Sequence, residues 1–187
     1  TVMSPKNKWE LADMLRFALS CQGPVALRYP RGEAYDGYEE YRSPLEYGKG
    51  EMVYRESKIA IISVGHMFEA ASEVRDELKR QGYCCTLANA RFVKPVDEEM
   101  IEDLCQDHLL VATVEENVQT GGFGEHVMEY VSRKGLKAHV LPLALPDDYV
   151  EHGSIQALRE ETGIDVKTMT EKMIRAYRRI TDGEELL

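Results

Sequence analysis

No apolar run in the 187-residue chain approaches the ~20 residues needed to cross a bilayer. There is no Lys/Arg block either. With a net charge of −10, neither a nucleic-acid backbone nor an anionic membrane is an expected partner. Cysteine is scarce. Cys21, Cys84, Cys85 and Cys105 lack metal or disulfide spacing, and none has an evident histidine partner, so all four read as small side chains in a reducing compartment. Cys84 and Cys85, adjacent in an apparent strand, should point to opposite faces. G-x-S-x-G, P-loop and metal motifs are missing, as are internal repeats. There is no signal peptide, and the opening on Thr1 rather than Met points to a piece of a longer protein.

What is present is enough for a core: 43% of residues are hydrophobic and 30% charged. The spacing predicts a helix over 4–21. Asn7 and Glu10 form a capping-box-like start, and Leu11, Met14, Leu15 and Ala18 make one apolar stripe. A short strand follows over 25–29, closed by Pro30-Arg31-Gly32. One helix and one strand cannot bury their own apolar faces, so residues 1–32 read as the tail of a preceding domain. Residues 33–47, with Tyr35, Tyr38 and Tyr41 among carboxylates, read as a linker lying along a domain surface.

From Gly48 onward strands alternate with helices. Strands are expected at 51–54, 59–64, 83–88, 109–114 and 139–143. The helix after Gly65-His66 should bury Met67, Ala70, Ala71, Val74 and Leu78. Asp97 should cap the next, which buries Met100, Ile101 and Leu104. Ser154 should cap a short helix ended by Gly163. Asp165 or Thr168 should cap the last, with Met169, Met173 and Ile180 inward and the tail after Thr181 fraying. This alternation predicts an α/β domain of three layers, α/β/α, around a mostly parallel sheet.

The stretch LLVATVEENVQTGGFG, 109–124, runs from a buried strand through a polar tip to a Gly-rich turn and a helix near Phe123. Such a tip faces the crevice where α/β sheets usually bind ligands. A phosphate there would meet Glu115 and Glu116, which opposes it. Close packing for the glycines and a domain or subunit contact for the glutamates are the favoured readings. The two carboxylates cannot act as an acid/base pair, because adjacent strand residues point apart. Arg31, at a strand exit between Pro30 and Gly32, could hold a phosphate or carboxylate bidentately, although a domain-edge arginine is favoured on spacing alone. His66, at the end of the central strand, reads first as a helix-start residue bonded to backbone, with a place in a crevice as the sharper alternative.

Several stretches taken together carry a resemblance. They are Arg28-Tyr29-Pro30-Arg31-Gly32, Ala90-Arg91-Phe92-Val93-Lys94-Pro95, Val114-Glu115-Glu116-Asn117 with Gly121-Gly122-Phe123-Gly124, and Leu145-Pro146-Asp147 with His152-Gly153. In this order the chain resembles the C-terminal part of the 1-deoxy-D-xylulose-5-phosphate synthases, a family of the transketolase superfamily. The resemblance implies a cytoplasmic, homodimeric transferase that condenses pyruvate with D-glyceraldehyde 3-phosphate, with loss of CO₂, using thiamine diphosphate and Mg²⁺. Its product feeds isoprenoid, thiamine and pyridoxal synthesis. It also implies that residues 1–32 end a pyrimidine-binding domain and that 48–187 form the transketolase C-terminal domain.

Arg31 then matches the family's triose-phosphate ligand, which reverses the reading from spacing. The metal motif, the cofactor-activating glutamate and the catalytic histidines have no match. The resemblance therefore implies no catalytic, cofactor or metal residue here and an inactive fragment. The alternative is a non-catalytic binding or dimerisation domain of a transketolase or a 2-oxoacid dehydrogenase beta subunit. Adjacency alone would pair strand 51–54 with 59–64 as a hairpin. The resemblance instead implies a five-stranded mixed sheet in the order 1-3-2-4-5 with strand 1 antiparallel. That order puts a switch point between the strands ending at Val64 and Val114, with His66 and Asn117 flanking the crevice.

Overall fold

The computed structural model describes residues 1–182. In chain order the elements are β1 (Val2–Met3), α1 (Lys8–Ser20), β2 (Ala26–Leu27), β3 (Glu51–Tyr54), β4 (Lys58–Ser63), α2 (Met67–Arg80), β5 (Cys85–Asn89), β6 (Phe92–Lys94), α3 (Glu98–Asp107), β7 (His108–Val118), α4 (Phe123–Lys134), β8 (His139–Leu145), α5 (Ile155–Thr162) and α6 (Val166–Asp182). Five of the strands form a sheet in the order β3-β5-β4-β7-β8, with β3 antiparallel to β5 and the others parallel. This is the 1-3-2-4-5 order implied by the resemblance.

Side-chain alternation builds two cores from one sheet. Ile59 and Ile61 of β4 and Ala112 and Val114 of β7 meet α2 and α6 through Phe68, Val74, Leu78, Met169 and Met173. Ala60, Ile62 and Val111 point the other way, onto Ile101 and Leu104 of α3 and Phe123 and Val127 of α4. The helical faces expected from spacing at Met67, Ala70, Ala71, Val74 and Leu78 are all buried. Asp97 caps α3 through Met100 N, Ser154 caps α5 through Ala157 N, and Gly163 ends α5 at φ 71°. At α6 the alternative resolves to Asp165, whose Oδ1 accepts from Thr168 N at 3.0 Å. The expected fraying of the tail falls on residues 183–187, outside the described residues. No helix among those described is long and apolar enough to cross a membrane.

The helix expected over 4–21 spans Lys8–Ser20 after its Asn7 cap, and the strand expected over 25–29 is only Ala26–Leu27, four residues short of Arg31. Three further expectations change. Glu51–Tyr54 does not form a hairpin with β4; it pairs with β5 at the sheet edge. The connector turns away because Glu56 is anchored on the next strand: its N–H donates to Thr86 Oγ1 and its carboxylate accepts from Arg75 and Lys79. The strand expected from Tyr83 starts at Cys85, because Tyr83 N–H closes α2 on Leu78 O. The thiols still separate, Cys85 buried and Cys84 half-exposed.

The third change is a second sheet, β2-β1-β6, in which residues 1–32 pack on the chain's own Phe92–Lys94. Strands of two or three residues have no period to read. Met14 is buried there with Met3 and Phe92. The rest of the α1 stripe is less covered: Leu15 is 51% exposed, and Leu19 beyond it 90%. The linker tyrosines do lie along the domain. Tyr38 sits edge-on to Phe68 at 5.1 Å and Tyr41 on Tyr54 at 5.3 Å.

Candidate functional site

The carboxyl ends of β4 and β7 meet the segment that follows β2. After β4 the chain turns at Gly65, where φ is 59° and an added Cβ would stand 2.1 Å from Ser4 Oγ, so only glycine fits. Ser4 Oγ in turn donates to Arg28 O at 3.0 Å. This close approach brings Arg28, Tyr29, Pro30 and Arg31 against His66. Together with Glu115, Glu116 and Ile155 they line a cleft of about 300 Å³. A second hollow of about 290 Å³ shares Tyr29, Pro30, Arg31 and His66.

Glu115 and Glu116 point apart, as strand alternation requires. Glu115 is buried, and its carboxylate accepts from Phe123 N at 3.0 Å and Gly124 N at 2.8 Å. It occupies the anion cradle at the α4 N-terminus, which a phosphate would otherwise need. Gly124 serves close packing: an added Cβ would lie 2.5 Å from Thr113 Oγ1.

Glu116 makes a contact within the domain. His66 Nε2 lies 3.1 Å from its Oε2, and Arg159 of α5 reaches the same oxygen with Nε at 3.0 Å and Nη2 at 2.8 Å. The His66 hydrogen bond, opposed by burial and helped by Arg159, holds the Glu116 carboxyl down at about 2. His66 therefore spends its side chain on Glu116 and makes no cap bond to the helix it precedes. Arg31 is exposed, with no hydrogen bond or ion pair among the described residues. Asn117 is half-buried one residue past Glu116 and does not line the cleft.

A second charged group has no forecast in the sequence. Glu10, expected only as a capping residue, is 3% exposed and binds Asn89 Nδ2, Arg91 Nε at 2.8 Å and Lys6 N at 2.7 Å. Glu51 joins it, accepting from Lys6 Nζ, from Arg91 Nη2 at 2.8 Å and from Ser43. Arg91 reaches both carboxylates from a left-handed backbone at φ 56°. Burial pushes the Glu51 carboxyl up, but Lys6 and Arg91 outweigh it and hold the group below its ordinary value. The available signal was Arg91 in R-F-V-K-P, a charged residue amid apolar neighbours. Among the described residues no three His, Cys, Asp or Glu side chains converge as metal donors. With the α4 N-terminus taken by Glu115, that helix has no free amides for a diphosphate.

The fold and the segment order define the class. Residues 48–169 match the family model "Transketolase, C-terminal domain", and the chain belongs to that family. Its curated relatives include synthases: it is 42% identical over 178 residues to the 1-deoxy-D-xylulose-5-phosphate synthase of Lachnoclostridium phytofermentans, covering 94% of this chain and 28% of that protein. Identity to the enzyme of the same name from Aquifex aeolicus is 38% over 174 residues, covering 93% of this chain and 28% of the other. The chain thus spans about 28% of the length of these relatives. Among solved structures, a split-gene transketolase described as an inactive beta4 tetramer aligns with a TM-score of 0.87 at 23% identity, over 94% of this chain and 57% of that one. Transketolase from Campylobacter jejuni aligns at 0.68 and 14% identity, over 93% and 26%.

Proposed function

We propose that this chain is the C-terminal part of a thiamine-diphosphate-dependent synthase that condenses pyruvate with D-glyceraldehyde 3-phosphate to 1-deoxy-D-xylulose 5-phosphate, releasing CO₂. The observation that carries this reading is the 42% identity to such a synthase over 178 residues, 94% of the chain, which reaches beyond the residues 48–169 of the C-terminal domain. On this reading residues 1–32 end a pyrimidine-binding domain, 33–47 link it to the rest, and the whole enzyme is a cytoplasmic homodimer. Thiamine diphosphate and Mg²⁺ belong to preceding domains, where the cofactor supplies the nucleophilic carbon; this chain alone is inactive.

The chain's own contribution is to bind and orient the acceptor. Arg31 takes the triose phosphate with a planar fork, in the turn after β2, between Pro30 and Gly32. Fixing the phosphate, remote from the aldehyde, converts binding energy into alignment of the reacting carbon. The test is an assay of the full-length protein. CO₂ release that requires both pyruvate and D-glyceraldehyde 3-phosphate is expected. Turnover of ketose phosphate donors without pyruvate would place the chain in a transketolase instead.

A further inference from the structure

We infer that the cavity beneath α5 is a binding site for a small, neutral, apolar molecule the size of a single aromatic ring. The end of β8, the turn after it and α5 wall this cavity. Leu145, Val150, Ile155, Leu158 and Ile164 give it an apolar lining around about 220 Å³. The site lies outside the synthase reading and does not depend on it.

An apolar cavity of about 150 Å³ is already large enough to take up benzene. The cavity here exceeds that size, and the chain itself bounds it on several sides. Its polar side chains hold no free cation for an anionic ligand. Arg159 directs Nε and Nη2 onto Glu116, at 3.0 and 2.8 Å, and Glu116 also meets His66. Thr162 Oγ1 donates to Leu158 O within α5. Glu151, which is exposed, adds a second carboxylate to the wall. An anion entering here would give up its hydration and meet carboxylates, whereas a neutral apolar molecule gains by leaving water.

The packing of α5 points the same way. Among the described residues α5 buries none of its side chains, whereas α2, α3, α4 and α6 each bury at least four. Ile155, in its first turn, is 65% exposed. Protein interiors are close-packed, so a helix that leaves a space beneath its apolar side chains is incompletely seated. A ligand in that space gives Val150, Ile155 and Leu158 the contacts that the chain itself does not. The cavity shares Glu116 and Ile155 with the acceptor cleft. Filling it therefore fastens α5, and with α5 the hold of Arg159 on Glu116, at a wall common to both.

The probe is toluene, titrated into the 187-residue chain and followed by the ¹³C-methyl signals of the five lining residues and by amide hydrogen exchange along α5. Saturable shifts confined to those methyls, with slower exchange in α5, are expected. Benzoate, the same ring carrying a charge, should bind at least about 10-fold more weakly. Leu158→Trp fills the cavity and should weaken toluene binding at least about 10-fold. Thermal melts identify a variant that fails to fold, and Val150→Trp then serves as the second filling substitution. Shifts that grow linearly with toluene and appear equally at the exposed Leu19 and Leu109 would overturn the site. Benzoate binding as tightly as toluene would overturn the neutral class of ligand. Toluene binding unchanged in a folded tryptophan variant would overturn the assignment to this cavity. The same titration on the full-length protein separates a ligand site from a buried contact. Retained binding supports the site, and its loss would overturn it by showing that another part of the polypeptide fills the cavity. No turnover is read, so each outcome is independent of the synthase assay.

Discussion

Two charged groups border the hollow lined by Tyr29, Pro30 and Arg31, one through Lys6 and the other through His66. Lys6, Glu10, Glu51 and Arg91 are at most 6% exposed, and each charge meets at least one opposite charge. His66, Glu116 and Arg159 have side chains 28–30% exposed, and one ring nitrogen is left over. The first group holds three parts of the chain together: the N-terminal arm, the segment at Ser43 and the C-terminal domain. It has no group left for a ligand. The second is anchored on one side and open on the other. Ion pairs closed on every side specify geometry, whereas those with an unspent polar atom beside a cleft can act on a ligand.

Breaking the buried group should have the largest effect. Glu10→Ala leaves Lys6 and Arg91 short of a buried counter-charge, and urea unfolding should show a loss of about 3–5 kcal/mol. A loss under about 1 kcal/mol would mean that water enters and solvates the remaining charges.

Next in size is Arg31→Ala in the full-length enzyme. It should lower kcat/KM for D-glyceraldehyde 3-phosphate about 10- to 100-fold, roughly 1.5–3 kcal/mol, with little change for pyruvate or thiamine diphosphate. Arg31→Lys should recover only part of this, because an ammonium lacks the fork. Wild-type kinetics in Arg31→Ala would return the residue to the domain edge.

Glu115 lies between the two groups in character: fully buried, yet engaged only with backbone amides. Glu115→Ala should cost about 1–2 kcal/mol in chemical denaturation, the scale of a lost helix cap. A neutral result would show that the α4 amides find another acceptor.

The smallest effect is an acid dependence. The folded Glu116 carboxyl sits at about 2 against an ordinary 4.5. Between these values the unfolded chain binds the extra proton, so stability rises with pH across the window. The contribution is present above about 4.5 and is lost as the pH falls toward 2. Glu51, also held low, adds in the same sense. Glu116→Gln should flatten the acid limb of a melting-temperature profile. An unchanged slope would assign that limb to other carboxylates.

The core elements from Gly48 on were legible because their signals are local. Helical stripes such as Met67 to Leu78, caps such as Asp97 and Ser154, and the apolar run of β4 follow from periodicity and hydrogen-bond chemistry within a few residues. The separation of Glu115 from Glu116 also followed, because strand alternation is geometric. The position of β3 did not: adjacency favours a hairpin, and it is the anchoring of Glu56 on β5 that decides against it. The strand order was available only through resemblance to a family.

What the sequence by itself determined is the α/β class, most helix boundaries and the buried faces. Only tertiary structure decided the rest. It seated Glu10 beside Arg91, 81 positions apart, and Glu116 between His66 and Arg159. It also turned Glu115 into the acceptor for α4. The reason is physical. Periodicity records which side of an element meets apolar surroundings, but the partner of a charge depends on which distant element arrives within about 3 Å, and no local pattern encodes that distance.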